Sequence, residues 1–144
     1  MNVSPEAFLQ MGRDVLAQQS FSRLLGTELA ALAPGQVELQ LALRDDLLQQ
    51  NGFAHGGVVS YLADNALTYA GGTALRVPVL TGEFKINYVR PAVGERLVAR
   101  ATAVHVGKTQ AVCRCDVYAL GETGEKLCAM AQGTIVAAPG TGAA

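Results

Sequence analysis

Tryptophan is absent from this 144-residue chain, and the side chains that most often carry catalysis are scarce: two His and three Cys. Only 16% of the residues are charged, and 11 basic against 12 acidic residues leave a formal net charge of −1. A chain without a bulk positive field has nothing to attract nucleic acid broadly, so any anion site must be local. Half of the residues are hydrophobic, which excludes a disordered tail protein. A chain of this length buries about two-thirds of the surface its unfolded form exposes. One domain spanning 1–144 is the expectation.

The start, Met1-Asn2-Val3-Ser4-Pro5-Glu6, lacks the basic and apolar regions of a signal peptide. The stretch Leu47 to Ala63 carries no charge, but Gln, Asn, His and Gly interrupt it, so it does not read as a membrane span. A cytoplasmic protein with no membrane or nucleic-acid partner is expected. Cys113, Cys115 and Cys128 lie in apolar, strand-like runs without the paired spacing of a zinc site. They read as small buried hydrophobes, and no metal is expected.

Ser4-Pro5-Glu6 has the form of a helix start, with Ser as cap, Pro at the first helical position and an acid in the first turn. Phe8, Met11, Val15 and Leu16 follow near helical spacing, which predicts a short amphipathic helix over about 1–19, its helical turns beginning near residue 5. Ser20 to Gly26 reads as a connector and Thr27 to Ala33 as a first strand. After the Pro34-Gly35 turn, Val37, Leu39, Leu41 and Leu43 alternate with polar residues as in a half-buried second strand. From Gly56 to about Leu75 the period changes to three and four, and apolar residues lie on nearly every face, which predicts a buried helix. Four alternating runs follow, centred on 84–88, 97–103, 111–117 and 127–135. Their short glycine-bearing connectors suggest a meander. The tail, 138–144, reads as frayed. This order predicts an α+β fold in which one antiparallel sheet of about six strands wraps a long central helix.

Chemistry concentrates in Gln49-Gln50-Asn51-Gly52-Phe53-Ala54-His55-Gly56-Gly57 and the helix that follows. The two glycines open that helix, whose first amides have no intrahelical partner and carry partial positive charge. A ligand oxygen can approach such amides closely, although Gly-Gly can equally serve only to turn the chain. Asp64 stands inside the most apolar helix of the chain, where a carboxylate is costly unless it is hydrogen-bonded or can take up a proton. It is either a satisfied structural residue, a solvent-facing one, or a functional one. Ser60, Asp64 and Thr68 recur at four-residue spacing and form a narrow polar stripe.

His55-Gly56-Gly57, six residues and then Asp64 resembles the signature of hotdog-fold acyl-CoA thioesterases of the phenylacetate-pathway type. Asn87-Tyr88-Val89-Arg90-Pro91-Ala92, Val104-His105-Val106-Gly107-Lys108-Thr109 and Ala131-Gln132-Gly133-Thr134 resemble the family's later strands in order and spacing. The resemblance covers about residues 20–137. It implies hydrolysis of a coenzyme A thioester, aryl or medium-chain, with no metal or cofactor beyond the substrate's own coenzyme A. It implies that the Gly56 amide polarises the thioester carbonyl and that Asp64 attacks it or activates water. Gln49, or Asn51 if the loop is shifted, would be the polar partner. His55 would shape the loop, and Thr81 and Thr68 would stand near the carboxylate.

The acyl group should lie in an apolar tunnel, and Tyr61, Leu62, Asn65 and Phe53 are candidates for its lining by their position near Asp64, with Gly57 also at the substrate. Arg90, Lys108 and Arg76 would meet the phosphates. The resemblance implies a homodimer with active sites between protomers, and pairing of dimers into a tetramer. Two other readings compete. A hotdog hydratase or dehydratase would use His55 with Asp64, although the longer hydratase motif is missing. A non-catalytic acyl-CoA-binding protein would bind without turnover.

Overall fold

The computed structural model describes residues 2–140. Ser4 caps the first helix, α1 (Pro5–Gln18), its hydroxyl oxygen accepting from the Ala7 amide at 3.1 Å. The connector read from the sequence contains a second short helix, α2 (Ser20–Leu25). Gln19 breaks the chain between them in an extended conformation, and Gly26, at φ 81°, closes α2 in the left-handed form that favours glycine. Then come β1 (Glu28–Ala33), β2 (Gln36–Ala42), a 3-10 turn at Asp45–Leu47 and α3 (Gly56–Leu75). The remaining strands are β3 (Val79–Tyr88), β4 (Arg96–Val106), β5 (Gln110–Gly121) and β6 (Gly124–Ala137).

The strands form one six-stranded sheet in the order β1-β2-β4-β5-β6-β3, all neighbours antiparallel. This is the α+β hotdog arrangement of a sheet around a long helix. The meander expected over the last four strands holds for β4, β5 and β6 only. β3 pairs with β6 at the far edge, and residues 89–95 carry the chain across to β4. That crossing is stitched to other elements: Ala92 O accepts from Ala54 N at 3.0 Å, Glu95 O from Leu43 N at 2.8 Å, and Glu95 N donates to Leu120 O at 2.8 Å. Of the tail, Ala138 N donates to Pro78 O at 2.8 Å, and residues 141–144 lie outside the described residues.

α3 is not buried all round. Its sheet-facing side carries Val59, Leu62, Ala63, Ala66, Leu67, Ala70 and Gly71, all buried. They meet the inward side chains Leu39, Leu41, Leu97, Ala99, Val117 and Ile135. Tyr61, Asp64, Asn65 and Thr68 lie on the opposite side and are half-buried. The three cysteines sit in the sheet, buried and free. Burial pushes the Cys113 and Cys128 thiols up to about 11, and burial together with Asp116 pushes Cys115 to about 12. Thiols held protonated in this way are poor nucleophiles. No helix among the described residues is long and apolar enough to cross a membrane.

α3 approaches the sheet tightly at Gly71, where an added Cβ would stand 2.6 Å from the Ile135 side chain. Gly71→Ala forces the helix off the sheet or Ile135 off its rotamer. It is expected to cost about 2 kcal/mol, the range for overpacking a tight core. Equilibrium urea unfolding measures it; unchanged stability would show that the contact is slack.

Candidate active site

The loop before α3 is built by its own backbone. Gln49 N donates to Phe53 O at 2.8 Å, Gly52 N donates to Gln49 O at 3.0 Å, and Gly52 takes φ 84°. Leu48 and Ala54 form a bridge that closes the loop's base. His55 N then donates to Leu47 O at 2.9 Å, which fixes the point of entry into the helix. The Gln49 side-chain oxygen accepts from the Asn51 amide, so the two alternatives for a polar partner belong to one small turn. Gln49 lines a cleft of about 370 Å³ with Phe53, Gly56, Tyr88 and Arg90, whereas Asn51 is exposed and outside it.

His55 is the N-cap of α3, its Nδ1 accepting from the Gly57 amide at 2.8 Å. The Gly57 amide is therefore occupied within the chain. The Gly56 amide, first of the helix, has no acceptor among the described residues. Tyr88 supports this end of the helix: its hydroxyl donates to Gly56 O at 3.2 Å, and its ring lies so near that a Cβ added at Gly56 would stand 3.6 Å from it. The outcome is one free amide at the positive end of a 20-residue helix, opening on a cleft.

Two turns on, Thr81 Oγ1 donates to Asp64 Oδ1 at 2.6 Å. Asp64 Oδ2 has no partner among the described residues. The strand register aims Thr81 at the helix, and a bulge between Thr81 and Glu83 turns the following residues. Thr68, one turn beyond Asp64, does not bond to it; its hydroxyl donates back to Asn65 O at 2.7 Å. Tyr61 and Asn65 also point elsewhere. The Tyr61 hydroxyl meets Ser22 Oγ at 2.6 Å and Thr27 Oγ1 at 2.7 Å, and Asn65 Nδ2 donates to Gln19 Oε1 at 3.1 Å. Leu62 is fully buried in the core. Tyr61 and Asn65 thus brace the N-terminal helices, and Leu62 fills the core. Arg90 lines the cleft, Lys108 lies in the exposed β4–β5 turn, and neither is in an ion pair among the described residues. No group of three His, Cys, Asp or Glu among the described residues could hold a metal ion.

Residues 51–126 match the model of the thioesterase superfamily. The chain belongs to that superfamily. Human acyl-coenzyme A thioesterase 13 is 32% identical over 102 residues, covering 69% of this chain and 73% of that one. A thioesterase family protein from Silicibacter pomeroyi superposes with a TM-score of 0.83 at 38% identity, covering 88% of this chain and 95% of that chain. A mutant of the phenylacetic acid degradation protein PaaI from Thermus thermophilus superposes with a TM-score of 0.72 at 34% identity, covering 82% and 98%. Membership makes thioester hydrolysis the reaction class in which this thioesterase site is read. Tyr88 is a contact that sequence reasoning missed. It lies within the motif Asn87 to Ala92, but nothing in the motif reveals that its partner is Gly56.

The His55 cap can be tested alone. His55→Ala leaves the Gly57 amide without an acceptor and is expected to lower stability by about 1 kcal/mol. His55→Asn, which can accept from the same amide, recovers most of that loss. Urea midpoints of the two variants check it, and equal midpoints would show that the cap contributes nothing.

Proposed function

We propose that this thioesterase hydrolyses an acyl-CoA thioester to the free acid and coenzyme A, with Asp64 and the Gly56 amide as its reacting groups. The observation that carries the proposal is the half-buried Asp64 carboxylate, held at one oxygen by Thr81 and free at the other. A carboxylate pinned in this way keeps its orientation and still presents one lone-pair-bearing oxygen. Oδ2 adds to the thioester carbonyl and expels the thiolate, leaving an acyl–aspartyl anhydride that water cleaves. In the other form of the reaction, Oδ2 takes the proton of a water that adds to the carbonyl, and the same thiolate leaves. In both, the negative charge that grows on the carbonyl oxygen is met by the Gly56 N–H at the helix terminus. Thiolates leave readily, so the reaction as proposed draws on no metal or cofactor.

One chain does not bring these groups together. Eight residues of helix separate Gly56 from Asp64 by about 12 Å, too far for a single carbonyl to touch both. We therefore take the active site to lie between two protomers. One supplies Gln49, Gly56 and the phosphate-facing Arg90 and Lys108; the other supplies Asp64 and Thr81. β3 supports this arrangement: it is an edge strand of ten residues whose outer side is unpaired, with Leu80 and Tyr88 more than half exposed. Such an edge is a template for a second strand. Its pairing would make a homodimer with two sites, and pairing of dimers would make the tetramer.

The test is thiol release from an acyl-CoA panel. Asp64→Asn is expected to lower kcat about 10²- to 10⁴-fold. Gly56→Pro replaces the amide proton by the proline ring without disturbing the helix start, since proline is tolerated at the first helical position and His55 already has the extended backbone that precedes a proline. It is expected to cost about 10²- to 10³-fold. Mixing the two inactive chains regenerates one intact site per hybrid dimer if the site is shared, and none if it lies within one chain. Full activity of Asp64→Asn would overturn the assignment of that residue. Hydration of crotonyl-CoA without thiol release would favour the hydratase reading, and binding without turnover would favour an acyl-CoA-binding protein.

A further inference from the structure

One helical turn from the Asp64–Thr81 pair lies a groove, several of whose walls come from parts of the chain that the family motifs do not include. α1, α3 and the start of β3 enclose a cavity of about 440 Å³ with Phe8, Met11, Val15, Thr68, Val77 and Val79 among its walls. Two structural repeats connect it to Asp64. Thr68 lies one helical turn beyond Asp64, so the two share a face of α3. Val79 lies two residues before Thr81 in unbroken register with β6, so the two share a face of β3. The groove thus starts one helical turn beyond the carboxylate, on its face of α3, and extends away from it along the helix.

Apart from Gln19, its walls are hydrocarbon and hydroxyls whose protons already have acceptors. Thr68 donates to Asn65 O at 2.7 Å, Thr73 to Tyr69 O at 2.7 Å and Tyr69 to Gly12 O at 2.8 Å. A hydroxyl group brought in by a substrate would find none of these three hydroxyls free to donate to it and would give up its own hydration, whereas a hydrocarbon chain loses nothing there. On the outer side, Met11 and Val15 stand one turn apart on α1 and are 56% and 51% exposed. Two half-exposed apolar residues at the mouth of an apolar cavity suit a small-molecule site of ordinary volume.

We propose that this groove receives the acyl group of the substrate, that the group is an unsubstituted hydrocarbon chain of medium length, and that Met11 and Val15 set how long it can be. The proposal rests on the reading that Asp64 acts at the thioester carbonyl: only then does the chain beyond the carbonyl start within a helical turn of the groove. It narrows the choice between aryl and alkyl substrates. It also moves the acyl site away from Tyr61, Leu62 and Asn65, whose contacts lie in the N-terminal brace and the core.

The experiment uses the full chain and two readouts. One is kcat/KM for thiol release from butyryl- to dodecanoyl-CoA, with 4-hydroxybenzoyl-CoA alongside. The other is the affinity of the matching S-alkyl-CoA thioethers, which cannot be hydrolysed. Both are expected to improve about fourfold per methylene up to a limiting length. Val15→Phe is expected to shorten that limit and Met11→Ala to lengthen it; opposite shifts cannot come from general damage to the protein. Length profiles that neither substitution moves would overturn the proposal, as would a preference for 4-hydroxybenzoyl-CoA over decanoyl-CoA. A Val15→Phe effect accompanied by a change in sedimentation state would overturn it in favour of a second copy seated on this face. Cleavage of thioesters with no dependence on length sinks the groove and leaves the hydrolase reading intact. No cleavage, with length-graded thioether affinity that the two substitutions shift, sinks the hydrolase reading and leaves the groove.

Discussion

The close approach of the sheet to α3 is the constraint on which the rest of this structure depends. Ala63, Ala66, Ala70 and Gly71 present almost no side chain to the strands, and Ile135 fills the space left at Gly71. Larger residues on that side would push the helix outward and open voids along the inward rows of β2, β4 and β5, and a poorly filled interior loses contacts on every side of the gap. The short side chains are thus not a weak hydrophobic face. They allow leucines and valines of the strands to close around the helix from several directions.

That closeness uses up one side of α3 and confines polar groups to the other. Within this strip the helical rotation of about 100° per residue makes a further division. Tyr61 and Asn65 turn toward Gln19, Ser22 and Thr27, where a cluster of hydroxyls and amides ties α1, α2 and the start of β1 to the central helix. Asp64, one residue earlier than Asn65, turns toward Thr81 on β3 instead. Neighbours in sequence therefore serve different ends: one polar cluster is closed on itself, and one carboxylate keeps a free oxygen. A buried polar group with every partner present is structural in effect; one left half-satisfied at a surface has capacity for chemistry.

Much of this was legible in the sequence, because the signals were local. The Ser4 cap, the period change at Gly56 and the alternation in five of the six strands each come from residues near one another in the chain. The fold class and the family followed from those signals and the motif spacing. The crossing of β3 to the far edge was not legible: its connector, 89–95, has the length and glycine content of a hairpin, and only the distant partner β6 decides the pairing. α2 was hidden because six residues are too few to show a period. Tyr61 and Asn65 looked like tunnel residues because position on the helix suggests nearness to Asp64, while the groups that claim them lie far away in sequence, in residues 19–27. Thr81 could be anticipated from the family pattern, but the identity of the oxygen it holds could not.

The electrostatics of α3 give a reason for two copies to combine as proposed. Each helix carries partial positive charge at Gly56 and, about 12 Å along, a carboxylate at Asp64. Within one chain these charges lie along the same rod and do not meet. When two such helices run side by side in opposite directions about a two-fold axis, each terminus comes level with the other's carboxylate, and both pairings are attractive. The attraction is paid for in hydration unless something polar sits between the two. A thioester carbonyl fits that gap, with its oxygen toward the amide and its carbon toward the carboxylate. On this view the interface and the active site are one arrangement, and the free Gly56 amide and the free Asp64 oxygen are its two halves.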